Sequence, residues 1–147
     1  MTTALAGAEL AGRINGAHPG AIVEWNDRDI WTEPHNLRAV CLFLKNTPGL
    51  DFSFLTAISA VDYIEHFELV YHLLSMRLNH STVVKTRCYG RDEPEAPSVV
   101  DLWRGAELQE REIWDLMGIR FESHPNLKRV LLWEGYPGHP LRKDYLR

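Results

Sequence analysis

Three nine-residue runs follow one another through the middle of the chain and constrain its fold more than any other feature. Leu55–Tyr63 is rich in apolar and β-branched residues. In Phe67–Ser75, Phe67, Leu69, Tyr71 and Leu73 alternate with Glu68, Val70, His72 and Leu74. In Ser81–Tyr89, Thr82, Val84, Thr86 and Cys88 fall on one side. A period of two over this length marks strands. Several alternate positions on the second run are apolar too, so burial on both faces is open there.

Helices are expected on either side of these strands. Leu5, Ala8, Ala11 and Ile14 form an apolar stripe that predicts a helix over 3–15, with Gly16 as its stop. Ala21–Trp25 and Asp29–Thr32 read as a hairpin around the polar turn at Asn26-Asp27. Pro34 suits a first helical position, with Thr32 or Glu33 as cap, and Leu37, Val40, Cys41 and Leu44 share the face of that helix. After the loop GRDEPEAP, Ser98 is placed to cap a short helix from Val99 that Gly105 breaks. A second helical stretch covers Ala106–Met117, with Gly118 just past its end. The order is α-β-β-α-β-β-β-α. It predicts an α+β, two-layer domain with helices on a mixed, mainly antiparallel sheet, over residues 1–118. From 119 to 147 the periodicity fades. Prolines at 125, 137 and 140 and glycines at 135 and 138 predict an extended C-terminal arm that docks on this domain or on a partner.

Charge divides at the same place. Residues 1–119 carry 10 Lys/Arg and 17 Asp/Glu, a balance of −7; residues 120–147 carry 6 and 3, a balance of +3. A basic end on an acidic body suggests a tail that meets something acidic, the plain alternative being a solvated end. The basic count is modest and no aromatic-basic platform accompanies it, so no nucleic-acid partner is expected. No run approaches the roughly 20 apolar residues that span a bilayer, and Met1–Gly16 does not read as a signal peptide. Membrane attachment is therefore expected only through partners. Cys41 and Cys88 form no C-x-x-C pair and are expected as buried free thiols in a reducing compartment.

Chemistry-bearing residues concentrate late in the chain. Glu107, Arg111 and Asp115 are spaced for an intrahelical ladder, and Glu110, Ile113, Trp114 and Met117 for a neighbouring, mostly apolar docking face. Glu110 and Glu112 are paired carboxylates without a nucleophile. His124 and His139 each precede a proline and read as hydrogen-bonded turn residues; His66, His72 and His80 lie in or near strands. There is no H-E-x-x-H, P-loop, G-x-G-x-x-G or G-x-S-x-G. No catalytic, cofactor-binding or metal-binding residue is assigned.

Residues 110–145 read EREIWDLMGIRFESHPNLKRVLLWEGYPGHPLRKDY. Three blocks stand out in order. The first is Glu110, Arg111, Glu112, Asp115, Gly118 and Phe121. The second is His124, Pro125, Leu127, Arg129, Val130 and Leu131. The third is Gly138, His139, Pro140, Leu141, Arg142, Lys143, Asp144 and Tyr145. They resemble the signature of the 30-kDa subunit family of respiratory complex I, the C-type subunit of NADH–quinone oxidoreductase. Looser likeness extends upstream through Leu55-Thr56, Val61-Asp62-Tyr63, Val70–Leu73 and Pro97-Ser98-Val99. The sequence departs from the family at Leu108, where Trp is usual, at Ser123, where Gly is usual, and over Leu132–Tyr136. The resemblance implies a structural subunit of a peripheral arm on the cytoplasmic side of the plasma membrane. It would pack on the D-type, 49-kDa subunit, with flavin, iron–sulfur clusters and quinone on other subunits. It implies that the motif residues serve the interface between subunits. Ferredoxin- and coenzyme F420-dependent dehydrogenases and membrane-bound nickel–iron hydrogenases hold similar subunits. An assembly factor is a further alternative.

Overall fold

The computed structural model describes residues 2–145. Its elements are β1 (Thr3–Ala4), α1 (Gly7–Ala17), β2 (Ile22–Trp25), β3 (Asp29–Thr32), α2 (Pro34–Asn46), β4 (Phe54–Asp62), β5 (Phe67–Ser75), β6 (His80–Cys88), β7 (Glu95–Pro97), α3 (Ala106–Met117) and β8 (Arg120–Glu122). The six-stranded sheet has the order β2-β3-β6-β5-β4, with β1 alongside β6. β4, β5 and β6 form an antiparallel meander, while β3 and β1 run parallel to β6 on its other edge. The sheet is mixed and mainly antiparallel, and the fold is α+β.

Alternation on the central strands decides which face is covered. Phe67, Leu69, Tyr71 and Leu73 of β5 are buried, as are Thr82, Val84, Thr86 and Cys88 of β6. Against them pack Leu10 and Ile14 of α1, Leu37, Val40, Cys41 and Leu44 of α2, and Ala106, Ile113 and Met117 of α3. Full burial of each Leu, Ile or Phe contributes about 1.5–3 kcal/mol. Pro34 occupies the start of α2 and Glu33 its cap position, without a side-chain cap bond. The Thr32 hydroxyl instead donates to the Ala21 carbonyl (2.7 Å), tying β3 to the start of the hairpin. On the opposite sheet face, Trp31 donates to Glu68 (3.1 Å) and lies between Lys85 and Arg87.

Several expectations are corrected. The first helix starts at Gly7, after a two-residue strand paired to β6. A Cβ at Gly7 would run into the Asn26 carbonyl oxygen, so this glycine lets the helix begin against the hairpin turn. No helix forms at Val99. Ser98 turns its hydroxyl to Glu110 instead of capping, and residues 99–105 make turns. β7 emerges from the charged loop and pairs in parallel with β8. The start of the C-terminal segment is thus strand, with Ile119 and Phe121 buried. Of the predicted docking face, Glu110, Ile113 and Met117 are buried in this chain's own core, while Trp114 is half-buried.

Candidate functional site

α3 organises the motif residues. It ends at Gly118, whose φ of 76° is the left-handed turn that stops the helix. A Cβ there would come within 2.7 Å of the His139 ring. Glycine at 118 therefore serves both the turn and the close approach of the returning chain.

Asp115 is the hub. Its side chain is fully buried. Its Oδ2 accepts the backbone N–H groups of Val130 (3.2 Å), Leu131 (2.8 Å) and Leu132 (2.9 Å). Oδ1 accepts from Arg129 Nη1 at 2.8 Å. Burial opposes the charge on Asp115, but Arg129 and the three amides outweigh it and hold its carboxyl below the usual range. Arg129 in turn donates to the carbonyls of Asp115 (2.9 Å), Tyr136 (2.6 Å) and Gly138 (2.8 Å). His139 Nδ1 donates to the Asp115 carbonyl (3.0 Å), its ring lies 4.9 Å from that of Trp114, and Leu141 N–H reaches the Leu116 carbonyl. The ladder expected on α3 is half formed: Arg111 meets Glu107 (3.3 Å) but otherwise binds the carbonyls of Lys128 and Arg129, because Asp115 is spent on the returning chain.

A second hub sits at the end of β4. Asp62 accepts from Arg91 at 2.6 and 3.0 Å and from the backbone of Ile64 (2.8 Å) and Lys143 (2.9 Å). Arg91 holds this carboxyl well below the ordinary aspartate range. Arg91 also meets Asp144 at 3.0 Å, and Arg142 donates to Asp144 (2.9 Å) and to the Arg91 carbonyl. Arg142, then Arg91, lower the Asp144 carboxyl to about 2. Tyr145 packs over Gly138 and shares a 2.9 Å hydroxyl contact with Tyr136.

The third group is internal. Glu110 is fully buried and accepts from the Ser98 hydroxyl (2.6 Å) and Val99 N–H (2.9 Å). Burial pushes it up to about 7. His124 Nδ1 accepts from Asn126 N–H (2.9 Å), so its ring proton lies on Nε2, which donates to the Glu107 carbonyl (3.0 Å). Nε2 is 3.8 Å from Glu110. The Ser98 hydroxyl addresses the carboxylate and not the imidazole, so these residues are not arranged as a nucleophile with its base.

The remaining motif residues are dispersed. Glu112, Pro125, Leu141 and Lys143 are exposed, Pro140 is half-buried, and Phe121 is core. The paired carboxylates do not converge, since Glu110 is buried and Glu112 exposed. Among the described residues, no cluster of three His, Cys, Asp or Glu is placed to hold a metal, and no helix is long and apolar enough to cross a membrane. Cys41 and Cys88 are free and buried, each pushed up to about 12 by burial. Sequence reasoning passed over Arg91, Tyr136 and the bonding role of Ser98. It met Asp62 only as part of an upstream block. The one available signal for Arg91 is a lone arginine among acids in a loop.

Residues 30–147 match the family model of the respiratory-chain NADH dehydrogenase 30 Kd subunit. The chain belongs to this family. Similar relatives include the second of the C-type NADH-quinone oxidoreductase subunits of Rhizobium meliloti (strain 1021), 44% identical over 115 residues, which cover 76% of this chain and 62% of that one. The C-type NADH-quinone oxidoreductase subunit of Roseiflexus sp. (strain RS-1) is 39% identical over 148 residues, covering 96% and 84%. The chain spans about three-fifths of the length of the Rhizobium relatives it matches. A similar solved structure belongs to the membrane-bound sulfane sulfur reductase, an archaeal respiratory membrane complex. Its TM-score is 0.76 at 27% identity, covering 94% of this chain and 84% of that one. Ser123 sits at φ 67°, in the left-handed region that favours glycine.

Proposed function

We propose that this 30-kDa-family chain is the C-type subunit of a proton-translocating NADH–quinone oxidoreductase. It is a structural member of the peripheral arm, on the cytoplasmic side of the plasma membrane, and it packs on the D-type, 49-kDa subunit through residues 119–147. Flavin, iron–sulfur clusters and quinone reside on other subunits. The match of residues 30–147 to the 30 Kd subunit family carries the reading, and the geometry fits a structural role. The motif's buried polar groups are spent on their own chain, with Asp115 and Asp62 fixing backbone amides up to 81 positions away in sequence. A buried network satisfied this way rigidifies the segment it holds.

The likeness to the archaeal sulfane sulfur reductase favours a second reading, in which the same structural role serves a respiratory membrane complex other than an NADH–quinone oxidoreductase. Native gels of gently solubilised membranes from the host, carrying a tagged chain, separate the two. Co-migration with a 49-kDa-type subunit in an NADH-oxidising band is expected. A large band without that activity supports the second reading, and a free small protein contradicts both.

A further inference from the structure

α3 carries two fully buried carboxylates with different surroundings. Asp115 meets an arginine and three backbone amides. Glu110 meets only the Ser98 hydroxyl and the Val99 amide, and among the described residues no Lys or Arg bonds to it. The elements packed around it supply no free positive charge. His124, just past β8, lies 3.8 Å away with its side chain wholly buried. Its Nδ1 accepts from Asn126 N–H and its Nε2 donates to the Glu107 carbonyl, so both nitrogens are employed in the neutral ring. An imidazolium there would give up the Asn126 bond. Cys41 of α2 and Tyr71 of β5 are uncharged neighbours whose own ionisation Glu110 opposes. Asp101, in the 99–105 turns, adds repulsion, and its own ion pair is with Arg38. On α3 itself, Arg111 is turned to Glu107 and to the carbonyls of Lys128 and Arg129.

A carboxylate so placed loses its hydration without a compensating charge. The carboxylic acid loses far less. Ser98 answers either form, because a hydroxyl donates to the first and accepts from the second. Solvent lies one residue away: Ser98 also lines an open cleft bounded by Pro34, Arg38, Pro97, Val100, Ser123 and Pro125. The segment that closes Glu110 off from this cleft is held by few bonds. Ser98 N–H donates to the Glu122 carbonyl (2.9 Å), and the N–H groups of Leu102 and Trp103 donate to the Val99 carbonyl (3.0 Å each).

We infer that Glu110 is a proton-operated latch: as the acid it closes residues 98–103 over α3, and as the carboxylate it draws water in through the cleft and lets that segment open. The proton leaves to solvent by the same opening. The device does not depend on which complex the chain serves. Burial raises Glu110 from 4.5 to about 7 in the closed form, and hydration in the open form returns it towards the ordinary glutamate range. Opening therefore releases a proton. The segment is held most firmly at low pH, and the opening constant rises by up to about tenfold per unit between about pH 5 and 7, then levels off.

Native-state hydrogen exchange on the full chain, from about pH 4.5 to about pH 8, reads the latch once intrinsic rates are divided out. The amides of Val99, Leu102 and Trp103 are followed beside those of Leu69 and Tyr71 in β5, in the wild type, Glu110→Gln and Glu112→Gln. In the wild type, Val99, Leu102 and Trp103 are expected to exchange by a local opening. At about pH 7.5 they should be at least about tenfold less protected than β5 and insensitive to about 0.5 M urea. Their protection should fall with pH by the slope given above. Glu110→Gln is expected to abolish that dependence, and Glu112→Gln, at an exposed carboxylate, to keep it. Should Glu110→Gln fail to fold, the carboxyl carbon resonance of Glu110 in carbon-13-labelled wild type decides, since protection must level off at the pH where that resonance titrates. Exchange of Val99, Leu102 and Trp103 only together with β5, with the same urea dependence, overturns the inference. So does a pH dependence that survives Glu110→Gln, or a Glu110 resonance that titrates in the ordinary glutamate range.

Discussion

Asp115 takes three consecutive backbone amides and an arginine into a fully buried carboxylate. Removing the acceptor strands those donors together with a partly buried cation. Asp115→Ala should therefore cost about 3–5 kcal/mol and speed hydrogen exchange at Val130–Leu132 more than in the β5–β6 core. Equal acceleration in both places would mean that Asp115 is a general stability residue and not the anchor of this segment. Ser123 makes the opposite case. A residue held at φ 67° pays for a left-handed backbone, and Ser123→Gly should raise stability by about 1 kcal/mol in thermal unfolding. Asp115 could be picked out of the sequence as a motif position, and Ser123 as a departure from the resembled pattern. Their work could not, because Asp115 has an arginine four residues before it and the ladder is the natural local reading. Its actual partner, Arg129, becomes a neighbour only through the turn at Gly118.

At the scale of elements, α3 and the β7–β8 pair meet at Glu110. Glutamate titrates near 4.5 when unfolded and near 7 here, so the folded chain holds a proton more tightly than the unfolded one. Unfolding then releases a proton between about pH 4.5 and 7, and stability falls as pH rises through that window, by at most about 3 kcal/mol. Glu110→Gln keeps one acceptor for Val99 and a donor for Ser98. It should flatten that slope in unfolding measured across pH 4.5–7.5, a range that spans the titration. An unchanged slope in the variant would assign the effect to another group. The central strands and α2 were legible because their periods of 2 and 3.6 are long enough to register. β1, β7 and β8 were not, since strands of two or three residues carry no period. The helix expected at Val99 failed for a tertiary reason: Glu110, eleven residues on, claims the Val99 amide and the Ser98 hydroxyl.

For the whole molecule, the boundary near residue 119 is visible as a change of charge and periodicity. The acidic body and the basic end satisfy part of that contrast within one chain, through Asp62–Arg91–Asp144–Arg142 and Asp115–Arg129. Composition alone cannot tell a charge offered to a partner from one already answered at home. The family was legible because its signature is linear and lies within 36 residues of the C-terminal region. The most direct test of a structural role is NADH–quinone turnover per assembled complex in membranes carrying wild type or Asp115→Ala. The account predicts fewer assembled complexes with the variant and unchanged turnover in each. Normal assembly with turnover lost would contradict it.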